Sequence, residues 1–486
     1  MQFIGLDIGT TGAKALLVDV VGNILNKCYV GYRLFSDGRN VEQSPNDWIG
    51  CGSKAIRDLL EGRDPSKIKA LSLSTQGAST VAIDSQNNPI GNAVTWMDSR
   101  AISEANELVT LLGADYIYRN TGWQVSPSLD AAKILNMKRS KKYSNAKHFL
   151  STIEYMNMFL TGNPVCDPTN ASIRQLYNVT CDSYDRQILE AVGLCDEELP
   201  EILPTGAYVG GITSKASEMT GLCERTPVYN GAHDQYCASI GAGAINPGDL
   251  LLSAGTTWAV MGICEKLMFT KTYISPALHP VTGRYGAMAS LVGTGVSMQW
   301  FKDKFTDNSF EEINEQVAIS ESNVDELFFY PYLSGAGYPF WNLEARGSFT
   351  GISLEHSKFD FARAIMEASA FNVCTALNDF TENGFTTKSL YMMGGASKSE
   401  LWCNLIASAS KLSVKISNEN EACALGAAII AAKGSGAYID FNDAVNAMST
   451  QTRIINPDMS LSKKMSAKYK RYTRMWSCIA QYYENS

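Results

Sequence analysis

The stretch GLDIGTTGAKALLVDV, residues 5–20, opens the chain with an apolar run, a Gly-Thr-Thr turn and a second apolar run. DLLLSAGTTWAVMGIC, residues 249–264, repeats that order. Each copy heads a half of similar length in which strand-like and helix-like segments alternate, which is the pattern of a duplicated α/β unit. A chain of 486 residues exceeds what one hydrophobic core accommodates, so two large domains are expected, 1–243 and 244–486, each a mixed sheet flanked by helices.

Around the first copy, FIGLDIG, AKALLVDVV and ILNKCYVGY read as three consecutive antiparallel strands, separated by Gly9 to Gly12 and by Gly22-Asn23. Ser44 as N-cap and Pro45 in the first turn predict a helix through Leu60, followed by a strand at 68–74. In the second half, Phe361, Ala364, Ile365, Ala368 and Phe371 recur at helical spacing, and Gly384 supplies a stop. KSLYMMGG, ending at Gly395, reads as a strand entering a glycine turn. SELWCNLIASASKL reads as the helix that follows, and a last amphipathic helix is expected over 461–483.

Composition narrows the function. A net charge of -8 and a pI near 5.3 argue against nucleic-acid binding, which needs a basic stripe to neutralise phosphates. Lys463, Lys464, Lys468, Lys470, Arg471 and Arg474 gather near the end, and their pattern is that of the solvated face of a helix. Met1 leads straight into a strand without a signal-peptide pattern. The apolar run ALGAAIIAA at 424–432 is closed by Lys433, short of the roughly 18 residues a membrane span needs. A soluble, cytoplasmic protein without a membrane partner is therefore expected. The 12 cysteines contain no C-x-x-C pair and read as reduced thiols, while the 4 histidines show no zinc-ligand spacing. A hard cation arriving with phosphate is the metal the composition suits.

The chemistry begins at Asp7. A strand delivers this acid to a turn whose Gly9 and Gly12 keep side chains out of the way of an anion, so backbone N–H groups and the hydroxyls of Thr10 and Thr11 can meet phosphate oxygens. Asp7 suits a magnesium ion held through water, and Lys14 places a cation nearby. Alone, D-x-G-T is ordinary hairpin chemistry. The second turn, Gly255-Thr256-Thr257, makes the reading specific, because two such hairpins facing each other form a triphosphate clamp. Gly394-Gly395-Ala396-Ser397-Lys398-Ser399, between strand and helix, lets a flat ligand such as adenine approach closely, without the spacing of a Walker loop. Asp234, in NGAHDQ just before the domain boundary, is the candidate base. An acid of ordinary pKa, about 4, suffices for a loose phosphoryl-transfer transition state, in which the hydroxyl proton leaves late. Gln76, a polar amide after the strand ALSLST, and the indole of Trp96 are candidates for the acceptor pocket.

Over essentially its whole length the chain resembles the FGGY carbohydrate kinases of the actin-like ATPase superfamily. The resemblance is carried by Gly347-Ser348-Phe349-Thr350-Gly351-Ile352 with Asp360, Phe361 and Glu367 beyond it, by VTWMDSR at 94–100, LTG at 160–162, HDQ, SAGTT and GGASKS, and by ENEACALGAA at 419–428. It implies two actin-like, ribonuclease H-like domains with a cleft between them, binding Mg-ATP and a small sugar or polyol. It implies Asp7 as the metal-associated acid, Thr10, Thr11 and Lys14 in the first phosphate turn, and Asp234 as base. Gly255, Thr256 and Thr257 match the second phosphate turn, Gly295 and Gln299 lie where similar kinases meet nucleotide, and Gly395 with Ser399 match the adenosine site. Gln76, Trp96 and Gln235 fall at pocket positions.

Gly77-Ala78 stand where glycerol kinases carry Arg-Glu, and the Met-His-Gly of xylulokinases is missing from TQGAST. The family's N-terminal signature is poorly met around Ser126 to Met137, although Lys133 keeps its place. A ketopentose such as xylulose leads the expected acceptors, ahead of a polyol or aldonate. A non-catalytic actin-like nucleotide switch or sugar sensor is the alternative, and the HDQ segment counts against it. A homodimer is compatible with the resemblance, and no sequence feature fixes it.

Overall fold

The computed structural model describes the chain except residues 256, 292, 320–325, 343, 418–420, 450–451 and 485–486. The first sheet uses β1 (Gln2–Ile8), β2 (Gly12–Asp19), β3 (Ile24–Gly31), β4 (Ile68–Thr75), β5 (Tyr208–Gly211) and β6 (Pro227–His233), in the order β5-β6-β4-β1-β2-β3. The second uses β7 (Asp249–Ala254), β8 (Trp258–Cys264), β9 (Ser275–Leu278), β10 (Tyr285–Leu291), β11 (Ser389–Met393), β12 (Val414–Ser417) and β13 (Thr452–Ile455), in the order β9-β10-β8-β7-β11-β12-β13.

Strand directions show the duplication. In the first sheet β1–β2 and β2–β3 pair antiparallel, β1–β4 and β4–β6 parallel, and β5 closes the edge antiparallel to β6. The second sheet follows the same scheme through β7–β8, β8–β10, β7–β11, β11–β12 and β12–β13, with β9 added at its far edge. The two quoted hairpins, β1–β2 and β7–β8, thus hold equivalent places.

The helices follow the patterning. The first, α1 (Pro45–Leu59), starts where Ser44 accepts the Asp47 N–H at 3.3 Å and buries Trp48, Ile56 and Leu59. Next come α2 (Asp130–Arg139), α3 (Asp234–Ala242), α4 (Thr294–Phe305), α5 (Lys358–Glu382), α6 (Glu400–Ser410), α7 (Ala422–Gly434) and α8 (Met459–Glu484). The expected glycine stop after α5 is present, with Gly384 in the left-handed region at φ 86°. Among the described residues, no helix is long and apolar enough to cross a membrane.

The halves are joined by close helix packing. α7, from the second half, lies across β1 and β4 of the first sheet. There a Cβ on Gly5 would sit 1.8 Å from the Ala424 carbonyl oxygen. α7 also crosses α3, where a Cβ on Gly426 would meet the Cys237 oxygen at 1.8 Å and one on Gly241 the Ala422 oxygen at 2.1 Å. Backbones approach this closely only where side chains are missing, and Ala424, Ala428, Ile429 and Ile430 fill the rest of the contact. In turn α3 sends Tyr236 against Gly286 of β10. A second bridge runs beside it: the Tyr118 hydroxyl donates to the Ile274 carbonyl at 2.7 Å and accepts the Thr270 N–H at 2.9 Å.

Candidate active site

Asp7 and Lys14 are register partners across β1 and β2, and the Gly9 N–H closes the intervening turn onto the Gly12 carbonyl at 3.1 Å. Ser74 of β4 donates to Asp7 Oδ1 at 2.7 Å. Asp7 Oδ2 is turned toward the phosphate-type turn, 3.7 Å from where a Cβ on Gly9 would stand. Burial, reinforced by the Asp234 charge, pushes the Asp7 carboxyl up to about 7, against the opposing pulls of Ser74 and Lys14. Lys14 is paired with Glu421, at the mouth of α7, at 2.8 Å. The first turn is therefore tied to the second half by an ion pair.

Asp234 is the first residue of α3, and His233 occupies the N-cap position without a side-chain cap. The Gln235 N–H pulls the Asp234 carboxyl down, against the larger effect of burial. The Asp234 side chain keeps 28% exposure, while burial raises its carboxyl to about 7. This corrects the expectation of an ordinary pKa near 4: sequence reading has no access to the desolvation that holds the proton on. His233 Nε2 lies 3.2 Å from Asp234 Oδ1, and burial depresses the imidazole to about 4, so the ring is neutral near pH 7. A Cβ on Gly77 would stand 2.6 Å from that ring, so the glycine that departs from the glycerol-kinase pattern makes room for the histidine.

Amides and indoles gather at the first turn. Gln76 is buried, donating from Nε2 to Gln43 Oε1 at 2.7 Å while its own Oε1 has no partner among the described residues. Gln43 passes the connection on to the Thr10 carbonyl at 2.5 Å and accepts from Trp48 Nε1 at 3.0 Å. Trp96 Nε1 donates to Thr10 Oγ1 at 3.1 Å, and its ring packs with Trp123 against Ala78, Leu129 and Ile173. Gln235 Oε1 is also buried without a partner among the described residues. Orphaned acceptors of this kind are costly unless a ligand hydroxyl satisfies them.

On the other side, Gly255 and Thr257 form the described part of the β7–β8 turn, and Thr256 lies outside the described residues. Gly394, at φ 96°, presses on this turn: a Cβ there would meet Ala254 at 2.7 Å, whereas one on Gly395 would enter open space. Ser399 caps α6 by accepting the Trp402 N–H at 3.2 Å and donates to Asn314 at 3.1 Å. Gly295 sits in the first turn of α4, and Gln299, further along, turns its amide to Asp303 at 2.7 Å, exposed. Gln43, Ser74 and Glu421 escaped the sequence reading as site neighbours. Glu421 alone carried a signal, lying inside the quoted ENEACALGAA.

The model for the N-terminal domain of the FGGY family of carbohydrate kinases matches residues 2–241, and that for its C-terminal domain matches residues 250–435. The chain belongs to the FGGY family of carbohydrate kinases. It is 28% identical over 462 residues to a xylulose kinase of Staphylococcus epidermidis, covering 94% of this chain and 92% of that one. A gluconokinase of Bacillus subtilis is 27% identical, over 92% and 90% of the two chains. The structure of ligand-bound xylulose kinase from Lactobacillus acidophilus superposes with a TM-score of 0.93 at 25% identity, over 100% of this chain and 99% of that one. As an FGGY kinase the protein is a phosphotransferase with an alcohol group as acceptor, in the two-domain actin-like fold, and kinases of this family are ATP-dependent.

Proposed function

We propose that this FGGY kinase transfers the γ-phosphoryl group of ATP to a hydroxyl of an uncharged ketopentose such as xylulose, with Asp234 as the base. The observation that carries the reading is the carboxyl of Asp234 at the start of α3, partly exposed, raised to about 7 and close enough to Asp7 for the two charges to act on each other. A base whose pKa lies near working pH combines a useful ionised fraction with real proton affinity. Neutral His233 beside one oxygen leaves the other to accept the hydroxyl proton. Gln76 Oε1 and Gln235 Oε1 then accept substrate O–H groups, and Trp96 offers its ring face to C–H groups.

The residues around Asp7 fit a magnesium ion, because its free oxygen is turned toward the turn and a cation relieves the repulsion between the two acids. Bound with ATP, that ion would neutralise phosphate charge, with Asp7 holding it through water. Gly9, Thr10, Thr11 and Lys14 are proposed to hold one side of the phosphate chain and Gly255, Thr256 and Thr257 the other. Gly394, Gly395 and Ser399 would take the adenosine, with Gly295 and Gln299 near the nucleotide. The working division is 1–243 and 244–486, and closure of one domain on the other excludes water.

A ketopentose is placed ahead of an aldonate on the relatives, of which several are named for xylulose. The test is ADP release coupled to a panel of ketopentoses, polyols and aldonates. The unmodified enzyme is expected to respond most to a ketopentose, and Asp234→Ala to lose about 10²-fold or more of that rate. No acceptor-stimulated turnover would favour the nucleotide switch, and an active Asp234→Ala would remove the base.

A further inference from the structure

Lys133, which keeps its place in an otherwise poorly met N-terminal signature, makes contacts that bear on the acceptor pocket. Its side chain is fully buried on α2, and its ammonium pairs with Asp130 while also reaching the main chain. Its Nζ donates to three main-chain carbonyls, Ala78 at 2.5 Å, Val94 at 3.2 Å and Thr95 at 3.4 Å, and stands 3.3 Å from Asp130 Oδ1. Burial lowers the lysine's proton affinity and Asp130 offsets part of that.

The three carbonyls belong to two nearby segments that also meet in an antiparallel bridge between Thr80 and Val94. Ala78 ends the turn that carries Gln76 and Gly77, and it is held at φ 50°, a conformation unfavourable for any residue with a Cβ. Val94 and Thr95 lead directly into Trp96. Val94 O already accepts the Thr80 N–H at 2.9 Å and Thr95 O the Asp98 N–H at 3.1 Å, so to these two carbonyls the lysine is a second donor. The lysine's own seat is rigid. Asp130 is gripped through its second oxygen by Arg174 at 2.8 Å, and Arg174 in turn binds Glu154 at 2.7 Å and the Phe149 carbonyl at 2.6 Å. Burying so much charge is a poor route to stability, since apolar replacements of such networks are commonly neutral or better. What the arrangement does supply is geometry, because three N–H bonds from one tetrahedral centre fix two chain segments relative to each other.

We propose that Lys133 is a positioning residue for the acceptor: its ammonium locks the segments bearing Gln76 and Trp96 at a fixed separation, and so sets acceptor affinity independently of ATP. This rests on the acceptor-pocket reading above. The test is Lys133→Met, in which Asp130 keeps Arg174 as its partner, with steady-state kinetics in both substrates and circular dichroism as a check of folding. The acceptor KM is expected to rise roughly ten- to hundred-fold, as for an ångström-scale misplacement, while the ATP KM stays within about two-fold. A folded variant with an unchanged acceptor KM, or with both KM values raised alike, overturns the proposal. Lys133→Gln, which keeps N–H donors without the charge, should fall between. A Gln variant equal to the unmodified enzyme, or failure of both variants to fold, likewise overturns it. An unmodified enzyme that turned over no sugar would instead sink the functional reading.

Discussion

Replacing Asp234 by Asn should stabilise the ligand-free protein, and only in a defined pH range. In the unfolded chain this acid ionises from its model value of 3.8, whereas folded burial holds the proton until about pH 7. Between those values the folded state binds the extra proton, so stability falls as pH rises from about 4 to about 7 and stays low above it. A shift of about 3 units at about 1.4 kcal/mol each sets a ceiling near 4 kcal/mol. The 28% exposure admits water, and solvent screening brings the expected gain for Asp234→Asn to about 1–2 kcal/mol at pH 8, with none at pH 4. For a domain of roughly 250 residues that is about 2–4 °C in Tm. The Asn variant also removes a charge that raises Asp7, which adds to the gain in the same direction. Thermal unfolding in a metal chelator, without nucleotide, at pH 4, 6 and 8 measures it. A gain equal at pH 4 and 8, or a loss at pH 8, would refute the argument from burial.

Two neighbouring glycines should separate packing from binding. Gly394→Ala forces a Cβ against the Ala254 backbone at a positive φ and should cost about 2 kcal/mol or more in a melting assay. Gly395→Ala meets nothing and should leave stability within about 0.5 kcal/mol. Its ATP KM should rise if adenosine lies over that backbone, and an unchanged ATP KM would move the nucleotide elsewhere. At the helix crossing, Gly426→Ala drives a methyl group into the Cys237 carbonyl and should destabilise by at least about 3 kcal/mol, read by urea unfolding. A native-like midpoint would mean that α3 and α7 are free to separate.

Local chemistry made much of this molecule legible. Alternating apolar runs and the two Gly-Thr-Thr turns yielded both hairpins, and Ser44-Pro45 marked the start of α1 to within a residue. The candidate acids were found because a strand end and a helix start are readable places. What escaped depends on contacts between distant segments. Nothing near Gln43 announces that it joins Thr10, Trp48 and Gln76, and Lys14 gives no sign of Glu421. The raised carboxyl of Asp234 escaped for the same reason, being a property of the assembled surroundings rather than of the residue.

The placement of α7 also bears on how the protein is made. Much of the layer that covers β1 and β4 is supplied by residues 422–434, so during synthesis the first sheet waits, one face only partly covered by α3, until most of the polypeptide has left the ribosome. Sequential completion, the first half finished before the second begins, is closed to this topology. An apolar sheet left waiting that long is a natural client for a chaperone, and a truncated product ending before residue 422 would keep that need for as long as it lasted.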